Sequence, residues 1–150
     1  MKTVIYDTLT GESRRIREEV FVEEQGFQEE FNEIDDIARH IVLYDGEKAV
    51  ATCRVFCQND DESYHVGRVA VIKAYRGQGL GRVLMEAAEE CAKALGGISI
   101  TLSGQVRVVP FYEKLGYIRE GEDYLDEGCP HVKLKKKLIE EKENAGAEYL

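Results

Sequence analysis

The chain is poor in several residue types that would identify a specialised class of protein. It contains no tryptophan, two prolines and four cysteines, and no cysteines form a Cys-x-x-Cys pair. This spacing argues against a zinc ribbon or a disulfide framework, so we expect reduced thiols and no metal site. No apolar run approaches the ~20 residues of a membrane span, and the first residues lack the apolar core of a signal peptide. We therefore expect a cytoplasmic protein with no membrane partner.

Basic residues are outnumbered along the chain as a whole. Lysine and arginine together number 20 against 29 acidic residues, which gives a formal charge of -9. No basic stripe with interleaved aromatic residues is visible, so we expect no nucleic-acid partner. A length of 150 residues suits one domain. We assign that domain to residues 1–138 and a charged tail to residues 139–150.

One segment reverses this balance because it lacks acidic residues. No aspartate or glutamate occurs from Ser63 through Met85, where even spreading would place about four. The same segment contains four basic residues: Arg68, Lys73, Arg76 and Arg82. An acidic protein that keeps carboxylates away from one segment is suited to bind an anion there.

Within this segment, a strand, a glycine-rich loop and a helix follow one another. The apolar residues Val69, Ala70 and Val71 end the predicted strand, and an amphipathic helix begins at about Leu80. Free backbone N–H groups and the positive end of a helix dipole make such a junction a candidate phosphate site. The spacing matches neither a dinucleotide-binding fingerprint nor a P-loop, and a flexible surface loop is the alternative. The loop and helix start comprise Arg76, Gly77, Gln78, Gly79, Leu80, Gly81 and Arg82.

Hydrophobic periodicity predicts a mixed α/β (α+β) domain, with one sheet and helices on both of its faces. Ser13 is the expected N-cap of the first helix. The final two strands are expected to be joined by residues 126–130. The predicted strands cover 2–8, 39–45, 48–57, 63–72, 98–102, 117–124 and 131–138, and the predicted helices cover 13–24, 80–95 and 106–115.

Two motifs together resemble the GNAT N-acetyltransferase superfamily. Arg76-x-x-Gly79-x-Gly81 is similar to its acetyl-CoA pyrophosphate loop, and residues 105–117 are similar to its Asn-x-x-Ala-x-x-Phe-Tyr-x-x-x-Gly-Phe pattern. In the second motif Gln105 stands where the pattern has asparagine. Residues 17–25 and 126–131 further resemble the ElaA-like branch. The resemblance implies the GNAT fold, with one mixed, mostly antiparallel sheet.

The resemblance also implies an activity: transfer of the acetyl group of acetyl-CoA to a primary amine by direct attack in a ternary complex. It assigns Val69, Ala70 and Val71 to the thioester and pantetheine, residues 76–82 to the pyrophosphate, and Gln105 to a further cofactor contact. Tyr112 matches the general acid that protonates the departing thiolate, with a packed core aromatic as its structural alternative.

The general base stays open at this point. Residues 18–36 contain nine acids and could be a solvated acidic face or could attract a cationic amine, with Glu24 reaching the site as the base. Glu127 and His131 are rival candidates, and His40 is either a core histidine or an acceptor contact.

Two other functions also remain open. They are a non-catalytic acyl-CoA sensor of the same fold, and an acyl-homoserine-lactone-type acyltransferase suggested by Arg17-x-x-Val20-Phe21-Val22. The partners we expect are a small-molecule or peptide amine and, as an open option, a second copy of the chain in a homodimer.

Overall fold

Seven strands form one mixed sheet in the order β1-β2-β3-β4-β5-β7-β6. The computed structural model describes residues 1–28, 30–57 and 63–139, so the expected tail at 139–150 lies outside the described residues except for Ile139. Every pairing is antiparallel except that of β4 with β5, which confirms the mixed, mostly antiparallel sheet. The strands are β1 Lys2–Tyr6, β2 Arg39–Asp45, β3 Lys48–Phe56, β4 Ser63–Val71, β5 Ser99–Gln105, β6 Ile118–Asp126 and β7 Cys129–Lys137.

The connection between β6 and β7 is shorter than the predicted stretch of residues 126–130. Only Glu127 and Gly128 separate the two strands. Their φ angles are +49° and +76°, the left-handed values that a tight two-residue hairpin requires at both positions. Both strands therefore extend two residues further toward the turn than predicted, and Glu127 lies at the tip of the turn.

Three α-helices and several shorter helical turns flank the sheet. The predicted N-cap Ser13 is wrong, because Thr10 Oγ1 accepts from the Ser13 backbone N–H at 3.1 Å and the helix begins at Gly11. Ser13 lies buried inside the helix, where its hydroxyl contacts Thr52 Oγ1 at 2.9 Å. The helices are α1 Gly11–Arg17, which continues as a π-helical segment Glu18–Glu24, then α2 Leu80–Ala94 and α3 Val109–Lys114, with 3₁₀ turns at Glu33–Asp36, Lys73–Tyr75 and Val106–Val108.

Helices cover both faces of the sheet, as expected. Thr52 and Cys53 are neighbours in β3, so their side chains point to opposite faces. Thr52 contacts Ser13 of α1, whereas Cys53 lies close enough to Cys91 of α2 to interact with it electrostatically. Within the described residues, no helix has the length and apolar character needed to cross a bilayer.

The sheet opens between β4 and β5. Their parallel pairing covers only Ser63–His65 against Ser99–Thr101. Further along β4 the register with β3 shifts: Arg54 pairs with Gly67 and Thr52 pairs with Ala70, so β4 holds one extra residue there. This bulge and the early end of the pairing separate the second halves of β4 and β5, and the space between them becomes the candidate site.

Candidate active site

A cavity of about 730 Å³ occupies the opening between β4 and β5. Its walls include the second half of β4, the end of β5 with Gln105, Tyr112 of α3, and His131 and Glu127 from β7 and its turn. Three separate motifs of the sequence thus meet around one space. Of residues 76–82, only Arg76 lines it.

The glycine-rich loop leaves backbone groups exposed at the start of α2. Gly77 and Gly79 have φ angles of +79° and +78°, and a Cβ on either would meet no atom within 4 Å. Gly81 has a different role, because a Cβ there would lie 3.1 Å from Phe111 Cζ. No side chain caps α2 and no acidic residue lies in its first turn. The free N–H groups and the helix dipole therefore make this end a suitable anion site.

Arg76 is held by a carboxylate from a distant part of the chain. Its two terminal nitrogens donate to Glu24 at 2.5 and 2.7 Å, and its Nε donates to Val71 O at 2.9 Å. The hydrogen bonds from Arg76 lower the pKa of Glu24. Glu24 does not line the cavity. The Arg82 side chain lies along α2, where its Nε contacts Glu86 Oε1 at 3.3 Å.

Tyr112 is buried in the cavity wall with its hydroxyl unbonded. Its ring packs edge-on against Phe111 and Tyr117, with centroids 5.0 and 6.0 Å away. No hydrogen bond to the hydroxyl is present among residues 1–28, 30–57 and 63–139, whereas the Tyr117 hydroxyl donates to Glu89 at 2.9 Å. Burial raises the pKa of Tyr112, which keeps the phenol protonated at neutral pH.

Strand β7 brings a histidine to the cavity in a defined orientation. His131 is 6% exposed, its Nδ1 lies 2.8 Å from Cys129 O, and its ring stacks on Tyr124. A carbonyl only accepts, so Nδ1 carries the proton in the neutral ring and Nε2 carries the lone pair. Glu127 nearby accepts from the Gln28 backbone N–H at 2.9 Å.

Two other candidate residues are held by different parts of the fold. The Gln105 amide donates to Gln25 Oε1 at 2.8 Å and accepts from Arg107 Nε at 3.0 Å. His40 is a fully buried residue that does not line the cavity, and its Nε2 donates to Asp35 O at 2.9 Å. Burial lowers the pKa of His40. The core-histidine interpretation of His40 is thus the one that its position supports.

A buried ion cluster beside the cavity was missed by the sequence analysis. Arg17 Nε contacts Glu30 at 2.6 Å and Arg17 Nη1 contacts Asp35 at 2.7 Å, and all three side chains are at most 6% exposed. Arg54 Nη1 also contacts Asp35, at 2.9 Å, and Arg68 Nε contacts Glu30 at 3.1 Å. These five residues form the buried ion cluster. Glu30 and Asp35 therefore do not belong to a solvated acidic face.

The pKa values of the two carboxyl groups in the cluster are shifted in opposite directions. Burial acts to raise the pKa of Asp35, but hydrogen bonds and charges from Arg17 and Arg54 outweigh it and lower that pKa to about 2. Burial raises the pKa of Glu30 despite its contacts with Arg68 and Arg17. Within the described ranges, no three His, Cys, Asp or Glu side chains are grouped so as to hold a metal ion.

Comparison with known proteins identifies the class to which this fold and cavity belong. Residues 7–138 match the acetyltransferase (GNAT) domain family. The uncharacterised N-acetyltransferase YjcF of Bacillus subtilis is 39% identical over 124 residues, covering 81% of this chain and 87% of that protein. The ElaA protein of Escherichia coli is 31% identical over 131 residues, covering 84% of this chain and 86% of ElaA.

Solved structures agree with the sequence relatives. The crystal structure of Escherichia coli ElaA aligns with a TM-score of 0.79 and 26% identity, over 90% of this chain and 98% of that one. An acyl-CoA N-acyltransferase from Pseudomonas aeruginosa aligns with a TM-score of 0.80 and 27% identity, over the same shares. The chain belongs to the GNAT acetyltransferase family, and its homologues include ElaA.

The buried ion cluster generates a stability prediction. Replacing Asp35 by asparagine (Asp35→Asn) should destabilise the fold at pH 7 by about 3–5 kcal/mol, because two buried guanidinium groups lose their shared carboxylate. The folded-state pKa of Asp35 is depressed, so its contribution is complete above its ordinary value of 3.8 and is lost as the pH falls toward about 2. The deficit of the variant should therefore shrink over that range.

Urea unfolding of both proteins between pH 7 and pH 2 measures this difference. Asp36→Asn is the matched control, because Asp36 is the exposed neighbour and its change should stay within about 0.5 kcal/mol. A deficit that does not depend on pH would contradict the assigned role of Asp35.

Proposed function

We propose that the protein is an acetyl-CoA-dependent N-acetyltransferase that moves the acetyl group directly to a primary amine in a ternary complex. The observation that carries this proposal is the Tyr112 hydroxyl, which lines a cavity next to the glycine-rich loop without a hydrogen-bond partner among the described residues. Because no described protein group engages this hydroxyl and it is not enclosed, it is free to donate its proton to a group that arrives with the substrate.

The anion site at the start of α2 supports acetyl-CoA as the cosubstrate. The N–H groups of residues 77–82 would hold the pyrophosphate, and Arg76 would exchange Glu24 for a phosphate oxygen. The backbone of Val69, Ala70 and Val71 borders the cavity where β4 has separated from β5. These unpaired strand groups are available to the pantetheine amides and the thioester carbonyl. Gln105 would form the neighbouring wall.

The chemistry needs an acid and a base on opposite sides of the thioester. The amine nitrogen attacks the thioester carbonyl carbon, a C–N bond forms and the C–S bond breaks. Tyr112 donates its proton to the departing sulfur, and a base takes the proton that the amine loses. The burial that raises the pKa of Tyr112 keeps its phenol protonated at neutral pH, so the proton is present when the thiolate departs.

His131 is our choice for the base. Its Nε2 has no hydrogen-bond partner among the described residues, and the residue lines the same cavity as Tyr112. Glu127 lies beside it on the exposed turn and would attract the cationic form of the amine. Glu24 is the weaker candidate, since it pairs with Arg76 and lies outside the cavity lining.

The first test concerns cosubstrate binding. Gly79→Leu should weaken acetyl-CoA binding roughly 10-fold or more, because a side chain at this position occupies the space of the phosphate and strains the loop. Isothermal titration calorimetry measures the change. Gly46→Leu is the control for backbone strain alone, since Gly46 has a φ of +61° and equally open surroundings. Unchanged affinity in the Gly79 variant would remove the loop from the binding site.

The second test concerns the general acid. Tyr112→Phe keeps the packed ring and removes the proton, so kcat should fall roughly 100-fold while the Kd for acetyl-CoA changes little. Tyr117→Phe is the control, because this buried hydroxyl is bonded to Glu89 and should affect stability more than turnover. Wild-type turnover in the Tyr112 variant would make that residue a core aromatic only. Acetyl-CoA binding without turnover of any amine would instead favour the sensor function.

The third test separates the candidate bases. His131→Gln should lower kcat roughly 100-fold, because the glutamine amide cannot take the proton that the amine loses. Glu24→Gln should leave kcat near the wild-type value and strengthen acetyl-CoA binding up to about 5-fold, since an exposed ion pair on Arg76 is lost. Steady-state kinetics with thiol detection provides both values. A large loss of kcat in the Glu24 variant would restore Glu24 as the base.

A further inference from the structure

The buried ion cluster carries more positive than negative charge. Three guanidinium groups, those of Arg17, Arg54 and Arg68, share two carboxylates, those of Glu30 and Asp35. With both carboxylates ionised, one positive charge is left over. The surplus charge reaches the cavity through Arg68, whose side chain is 26% exposed, and is therefore available to an anion that enters there.

Arg54 is the member with unused donors. Its side chain is 4% exposed and lines the cavity. Nη1 donates to Asn32 and Asp35, whereas the buried Nε has no hydrogen-bond partner. The neighbouring strand position is Gly67, and a Cβ there would stand 4.0 Å from this Nε. The missing side chain leaves room beside the guanidinium at the cavity wall.

Arg68 supplies a second guanidinium at the same wall. It lies in the bulge of β4 with a φ of +51°, a left-handed conformation that is strained for a residue with a side chain. Its Nε is directed at Glu30, and its side chain is 26% exposed in the cavity lining. Each Glu30 oxygen already faces an arginine, Oε2 facing Arg17 and Oε1 facing Arg68. The outer nitrogens of Arg68 have no partner among the described residues, and a planar fork of this kind matches a carboxylate.

The far wall of the cavity has the opposite character. Asp126, Glu127 and His131 line it and offer acceptors to a protonated amine. An amine held there, with an acidic group on the same molecule, would find Arg54 and Arg68 across the cavity.

We infer that the amine acceptor is a carboxylate-bearing amine of the amino-acid class, with Arg54 and Arg68 binding the carboxylate while the amino group lies toward His131. This inference rests on the proposed function, because it names the acceptor of the same reaction. It makes Arg68 a specificity-determining residue: it touches the acceptor and takes no part in the proton transfers.

The test compares ligands that differ only in the anionic group. The standard L-amino acids and their carboxamides are titrated into the CoA-saturated protein by calorimetry, and CoA release from acetyl-CoA is measured with the same compounds. At least one amino acid should bind roughly 10-fold to 100-fold more tightly than its carboxamide. Arg68→Gln should abolish this ratio and leave the Kd for acetyl-CoA unchanged. Arg107→Gln, which removes an exposed arginine from the same cavity, should preserve the ratio.

The two readouts keep the inference separate from the proposed function. An amino acid that binds more tightly than its carboxamide without any CoA release would support a carboxylate site at Arg54 and Arg68, and it would reject both the transferase proposal and the role of that amino acid as acceptor. Amines that are acetylated while no amino acid binds better than its carboxamide would reject the inference alone. Preference for O-phosphoethanolamine over every amino acid would overturn the carboxylate assignment, and an unchanged ratio in the Arg68 variant would give the buried ion cluster a structural role only.

Discussion

The separation of β4 from β5 is the constraint on which the rest of the site depends. Parallel strands in a continuous sheet bond to each other along their whole length, but here the pairing stops after three residue pairs. The extra residue in β4 turns the strand and leaves its last backbone groups without a neighbour on that side. Strand groups without a neighbouring strand remain available to water or to a ligand. The opening therefore makes this part of the sheet suited to binding an extended molecule.

Two kinds of ion pair lie near this opening: an exposed pair, in which a ligand can replace one partner, and buried pairs, in which it cannot. Arg76 and Glu24 are 39% and 36% exposed, and an exposed pair contributes at most about 1 kcal/mol. A phosphate can displace such a carboxylate at little cost. Arg17 and Glu30 are 1% and 2% exposed, and separating them would leave two buried charges. The first pair suits a ligand site, and the second fixes the segment after the π-helical turn against β3 and β4.

The sequence predicts the parts of this arrangement that depend on neighbouring residues. The spacing of the glycines predicts the loop at residues 76–81, and the apolar stripe predicts α2. Both patterns are formed by residues that are close together in the sequence. The prediction of Ser13 as the N-cap is wrong because Thr10, three residues earlier, also carries a hydroxyl group. Thr10 caps the helix, whereas Ser13 is buried in contact with Thr52. The buried ion cluster joins residues up to 51 positions apart, from Arg17 to Arg68, and no local pattern records that. Arg54 inside an apolar strand was the one available signal, since a charge at a buried position needs a partner.

The acid-free segment also shows that a local sequence pattern does not record contacts with distant residues. Counting residues along the chain finds no acid from Ser63 through Met85, and in the structure the first turn of α2 is free of carboxylates. Yet a carboxylate reaches Arg76 from position 24, because the π-helical segment brings Glu24 over the loop. The depletion of acids along the chain therefore describes only the carboxylates that neighbouring residues could supply, and the fold adds Glu24 from a distant part of the chain. Because Glu24 and Val71 O already order the Arg76 side chain, an anion that bound the loop would not have to order it during binding.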